Sequence, residues 1–180
     1  FLTEFISEKY VGLVYTAGSL ITLILLAKSS GILKRLGNRG LVMWLLVINM
    51  IALTGLITSV DPRVIAVSFI AFITTNVLTL FSIDIFIEHF GDPKTIGKTR
   101  GLYLTIISLA WMVSPLITAL LIGSGGGYLA IYAIAFFVTA LTTIGLSLSV
   151  RKFRDKSYRK TPFLETYRYL KTNKHMLAIT

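Results

Sequence analysis

Five long apolar stretches constrain this chain more than any other feature. They are separated by connectors that alternate between cation-rich and almost uncharged. The stretches cover residues 10–27, 40–60, 64–87, 102–123 and 128–150. Each is about 18–24 residues long, the length a helix needs to cross a hydrocarbon core of roughly 30 Å. Only helices or closed barrels cross lipid with their backbone groups satisfied. The stretches are too long for barrel strands and show no apolar/polar alternation, so an all-α polytopic membrane helix bundle is expected.

The connectors set the expected orientation. The first carries Lys28, Lys34, Arg35 and Arg39, the second only Asp61 and Arg63. The third carries Lys94, Lys98 and Arg100, whereas the fourth, Gly123-Ser124-Gly125-Gly126-Gly127, carries no charge. The segment after the fifth stretch is again cation-rich, from Arg151 to Lys174. Short connectors rich in Lys and Arg stay on the cytoplasmic side. Residues 28–39, 88–100 and 151–174 are therefore expected in the cytoplasm, and the chain reads as an integral protein of a prokaryotic cytoplasmic membrane.

Of the 18 Lys and Arg residues, all but Lys9 and Arg63 lie in those three segments. The net charge of +10 is thus a topology signal before it is a partner signal. Arg or Lys at mid-membrane costs about 3 kcal/mol, which explains why the centres of the stretches are clear of both. The absence of cysteine excludes disulfides and thiolate metal sites and leaves the redox compartment open.

The first residue is Phe1, and the orientation places it outside with Glu4 and Glu8. An odd number of crossings with an external start reads as an internal fragment, one helix short at its beginning. His175-Met176-Leu177-Ala178-Ile179-Thr180 reads as the start of a next transmembrane helix.

Polar residues inside the stretches are the candidate site residues. Ser68, Thr75, Thr79 and Ser82 lie seven, four and three apart, which places them on one helix face. Asn76 flanks that face near mid-membrane. From the residues alone these five read as hydroxyls and an amide bonded to their own helix or as hydrogen-bonding glue between helices. Asn49 in the second stretch reads as glue. Asp84 is the only acid within a stretch, and an intramembrane carboxylate is a functional candidate by default. It lies close to the cytoplasmic boundary, with Glu88 one turn on, so solvation or pairing with Lys94 or Arg100 is the expected role. Asp84, Glu88, Lys98 and Arg100 form a helix-end polar cluster in this reading. Asp61-Pro62 marks an external turn, because proline cannot continue a helix. Pro115 is expected to kink the fourth helix or free a carbonyl within it.

No catalytic constellation is visible, and no cofactor or metal site is expected. His89 and His175 are far apart, and the glycine-rich connector joins two apolar helices, unlike a phosphate-binding loop. The tail at 151–174 reads as a basic cytoplasmic linker. Thr161-Pro162 can start a helix, on which Phe163, Tyr167 and Leu170 share a face. Such a helix lies on the inner membrane surface against anionic headgroups. Basic residues interleaved with aromatics also suit single-stranded nucleic acid, but beside five spans no nucleic-acid partner is expected.

Three segments carry a family resemblance. Residues 30–39 read Ser30-Gly31-Ile32-Leu33-Lys34-Arg35-Leu36-Gly37-Asn38-Arg39. Arg35, Gly37 and Arg39 coincide with a pattern close to G-x-x-x-D-R-x-G-R-R, while Ser30, Lys34 and Asn38 depart from it. Gly97-Lys98-Thr99-Arg100-Gly101 is similar to a basic G-x-x-R-G connector, and Ser114-Pro115 is similar to a Gly-Pro motif without its glycine. Together these resemble the N-terminal half of a major facilitator superfamily transporter lacking its first helix. The resemblance implies that residues 1–150 hold helices two to six of that half, so that the third stretch is its cavity-lining fourth helix and Ser68, Thr75, Asn76, Thr79 and Ser82 are a candidate substrate path. It makes Lys34, Arg35, Gly37 and Arg39 a cytoplasmic gating loop and 151–174 the linker to a C-terminal half. It also implies secondary-active or facilitative transport of a small solute by alternating access. The alternative is a non-transporting polytopic protein, either a membrane-embedded enzyme or an assembly scaffold.

Overall fold

The computed structural model describes residues 1–91 and 94–149. The tail at 151–174 and the apolar start at 175–180 lie outside the described residues. The order is α1 (Leu2–Phe5), α2 (Glu8–Ala27), α3 (Ser29–Thr58), α4 (Pro62–Phe90), α5 (Ile96–Gly123) and α6 (Gly127–Ser149), with no strand among the described residues. Five of these helices, α2 to α6, are long and apolar enough to cross a membrane. The chain is an all-helical, membrane-type bundle.

Helix ends follow local chemistry. Asp61 caps α4, its Oδ1 accepting from Arg63 N at 2.8 Å, and Pro62 takes the first helical position, where a missing N–H costs nothing. The α5–α6 turn closes through Gly126 N to Leu121 O at 3.0 Å, with Gly125 at φ 85°. α5 continues through Pro115 as one helix. The proline has no N–H for the Trp111 carbonyl four residues back.

The helices outrun the apolar stretches, and the first basic connector is itself helical. α3 begins at Ser29 and breaks at Gly37, whose φ of 69° and ψ of 169° are not helical. Residues 29–36 make a short leading helix because their apolar positions share a face. Leu33 is buried with Leu41, Leu45 and Leu78 in a cluster that also takes in Leu25 and Ile32, while Lys34 and Arg35 stay exposed. In the same way α4 runs past the third stretch to include Glu88, and α5 starts early enough to carry Lys98 and Arg100 on its first turns.

The centre of the bundle is the seam between α3 and α4. Leu53 and Ile65, both 0% exposed, pack there, and a second apolar cluster forms around Leu56, Ile65, Phe69 and Val14 near the opposite end from Leu33. α2 covers one side of α4, and α6 covers the other side of α3. α5 packs mainly on α6 and has no buried residue. Its apolar side chains, including Trp111 at 72% exposure, are compatible with a hydrocarbon surround.

Candidate functional site

A helix in lipid satisfies its own backbone, so each polar side chain must find a partner nearby. Threonine does so most simply by donating to a carbonyl four residues back. Thr16, Thr54, Thr79, Thr105 and Thr143 all bond this way at 2.7–2.9 Å. Those hydroxyls are satisfied before any neighbouring helix is considered. Polar groups that reach a second helix therefore stand out.

Three such links fasten α4 to its neighbours. Thr75 donates to Ala71 O at 2.8 Å and accepts from Asn49 Nδ2 of α3, also at 2.8 Å. Asn38 Nδ2, directly after the Gly37 break, donates to the Ser82 backbone carbonyl at 2.9 Å, and both residues are 0% exposed. On the other side of α4, Thr74 and Thr22 of α2 bring their hydroxyls within 3.1 Å, and Thr22 donates to Gly18 O at 2.8 Å. At the far end of the α3 seam, Ser68 lies against the open Cα face of Gly55, where any added Cβ would collide with its hydroxyl.

The candidate set thus divides by position. Ser68, Thr75 and Ser82 recur every seven residues and lie buried against α3. Thr79 is half-buried and bonds only within its own helix, to Thr75 O. Asn76 is exposed, with its Nδ2 donating to Phe72 O at 2.7 Å. Beside it, the α2–α4 groove encloses about 300 Å³ between Ser19, Thr22, Leu26, Ile73 and Val77. Ser19 and Thr22 escaped the sequence reading. Their spacing of three on the first stretch is the only signal they carry, and it does not say which neighbour they meet.

At the cation-rich end, Arg100 Nε lies 3.6 Å from Asp84 Oδ1, which ties α5 to α4. Both side chains are about half exposed, so water screens the pair and it contributes little to stability. Asp84 thus lies beside Arg100, one of the two cations named for it in the sequence, and is also half in water. Glu88 and Lys98 are exposed on the same end, while Arg39 is half-buried beside the Gly37 break. Among the described residues, no group of three His, Asp or Glu side chains converges as a metal site. Away from that end, the polar side chains of the spanning helices among the described residues are chiefly hydroxyls and amides, groups that can hydrogen-bond but carry no charge.

The chain was compared with protein-family models, curated proteins and solved structures, and none of the three matches it.

Proposed function

We propose that the chain forms helices of one half of a secondary transporter of the major facilitator type. It moves a small solute across a prokaryotic cytoplasmic membrane by alternating access. The observation that carries this reading is the backbone at Gly37. In the ten-residue segment that resembles the family pattern, the shared glycine holds φ at 69° and ψ at 169°, at the junction between a short cation-bearing leading helix and a long apolar helix. A glycine is wanted there for a physical reason, since residues with a Cβ avoid positive φ. Lys34 and Arg35 flank that turn in water, as the positive-inside rule expects for a cytoplasmic connector.

In this proposal the solute path runs along the open side of α4, past Asn76 and Thr79, and along the α2–α4 groove with Ser19 and Thr22. Ser68, Thr75 and Ser82 hold α3 against α4, so that the pair moves as one body. The test is counterflow by the complete protein in proteoliposomes loaded with candidate small solutes. Exchange that weakens in Asn76→Leu but persists in a surface variant such as Lys94→Gln supports the path. A complete protein that exchanges no solute in the presence of an ion gradient ends the transport reading.

A further inference from the structure

We infer that the short cation-bearing helix at the start of α3 holds a binding site for one anionic phospholipid. Lys28, Lys34 and Arg35 are all exposed there, and the segment from 28 to 39 carries no Asp or Glu. Among the described residues, none of these three cations has an acidic partner. Gly31 stands between them. It lies three residues after Lys28 and four before Arg35, a spacing that places all three on one helix face, with Lys34 one turn from Gly31 on its other side. An added Cβ at Gly31 would meet nothing within 4 Å. This face is therefore a bare stretch of backbone bordered by three positive charges. It lies opposite Leu33, which is buried in the apolar cluster.

The chemistry of that face selects the ligand. A phosphodiester is a compact anion that accepts charge-assisted hydrogen bonds from Lys and Arg, and it needs room to come between long side chains. The missing side chain at Gly31 supplies that room. An apolar track leads to the same spot. The Lys28 N–H donates to Ile24 O at 3.1 Å, so Ile24 lies one turn back into α2, and Leu20 lies one turn further. Both are exposed, as is Ile21 beside them. A lipid whose phosphate sits at Gly31 lays an acyl chain along these residues, whereas a free phosphate would leave the track unused. A zwitterionic headgroup brings a cation of its own, and the segment offers no carboxylate to receive it. The proposal rests on this end of the bundle lying at a membrane surface. It does not depend on the transport reading, because binding is measured without translocation.

The test is native mass spectrometry of the complete protein, titrated with phosphatidylglycerol and with phosphatidylcholine of the same acyl chains. One phosphatidylglycerol should bind saturably and at least about tenfold tighter than phosphatidylcholine, since each basic residue near an anionic headgroup is worth roughly a factor of five. The triple variant Lys28→Gln, Lys34→Gln, Arg35→Gln should weaken that binding at least about tenfold. Lys98→Gln with Lys152→Gln and Lys156→Gln removes as many charges elsewhere and should stay within about threefold of the unaltered protein. Gly31→Leu keeps every charge and fills the gap, so it should weaken phosphatidylglycerol by about threefold or more. Equal binding of the two lipids overturns the proposal. So does an equal loss in the two triple variants, which would mean diffuse charge, and so does unchanged binding in Gly31→Leu. Displacement of the lipid by glycerol 3-phosphate at equal concentration also overturns it, because the site would then be one for a free anion.

Discussion

Asn49 Nδ2 donates to Thr75 Oγ1 at 2.8 Å across the seam of α3 and α4, and each residue is only 4% exposed. This bond is more specific than a hydroxyl returned to its own helix. Thr75 already donates to Ala71 O, so its oxygen is an acceptor aimed outward, and Asn49 supplies the matching donor from the neighbouring helix. One seven-residue step away on either side, Ser82 and Ser68 are small enough to let the two backbones approach. Close approach of backbones, aided by hydrogen bonds, is how helices associate where lipid removes the hydrophobic drive.

A double-mutant cycle on Asn49→Ala and Thr75→Ala should therefore show coupling. Interhelical hydrogen bonds in membranes are worth about 0.6 kcal/mol on average and reach about 1.7 kcal/mol. The buried geometry places this pair in the upper part of that range. Steric-trapping measurements of unfolding in bilayer-like lipid discs would read it. Strict additivity of the two substitutions would mean that the bond contributes nothing beyond its separate parts.

Gly37 should be intolerant of any side chain. Its φ of 69° falls where a Cβ is strained, so Gly37→Ala should cost about 1–3 kcal/mol. Gly31 makes the comparison sharp. It lies in the leading helix, six residues earlier, with open space around its Cα. Gly31→Ala should be neutral or stabilising by up to about 1 kcal/mol, because alanine favours helix and restricts the unfolded chain. Thermal unfolding of both variants in detergent decides the matter, and equal effects would contradict the break at Gly37.

These comparisons show which parts of the fold were legible in the sequence. The spans were legible because the lipid requirement is severe. About 20 apolar residues with almost no charge leave few alternatives, and each of the five stretches corresponds to a long helix, α3 ending at Thr58, two residues short of the end of its stretch. The helical nature of residues 29–36 was harder to see. Its apolar side, with Ile32 and Leu33, is too short to register as a period beside four cations, and only the packing of Leu33 on Leu41 and Leu45 reveals it. The polar face of α4 was legible as a face, since spacing fixes angle around a helix. Which neighbour that face meets was not, because Ser68, Thr75 and Ser82 would show the same spacing toward water or toward α3. Thr22 was invisible for the same reason, as its relation to Thr74 spans 52 positions of sequence.

The ion pair between Asp84 and Arg100 should matter little for stability despite its position between two helices. At 3.6 Å and with both side chains about half in water, it belongs with exposed pairs worth about 0.2–1 kcal/mol. Asp84→Asn and Arg100→Gln should each shift stability by less than about 1 kcal/mol, and the shift should shrink as salt rises. By contrast, Asn38→Ala removes a fully buried donor from the Ser82 carbonyl and should cost about 1–3 kcal/mol with little salt dependence. Chemical denaturation at low and high ionic strength separates the two cases. An Asp84→Asn effect as large as that of Asn38→Ala would place the charge pair among the main ties of the bundle.

The chain has no cysteine, so single cysteines can report on each position of α4 without background. Asn76 is exposed, Thr79 half-buried, and Thr75 and Ser82 are shut against α3. A cysteine at 76 in the complete protein should react with a membrane-impermeant maleimide if the open side of α4 lines a wet path, and a cysteine at 79 should react more slowly. Cysteines at 75 and 82 should stay protected by at least about tenfold, since reaction there needs the α3–α4 seam to open, and a barrier of 1.4 kcal/mol already gives that factor. The same reagent added outside intact cells should spare cysteines at Lys34 and Lys98, which the positive-inside rule assigns to the cytoplasm. If position 76 reacts only with a lipid-soluble reagent, α4 turns that side to hydrocarbon, and the proposed solute path along it is wrong.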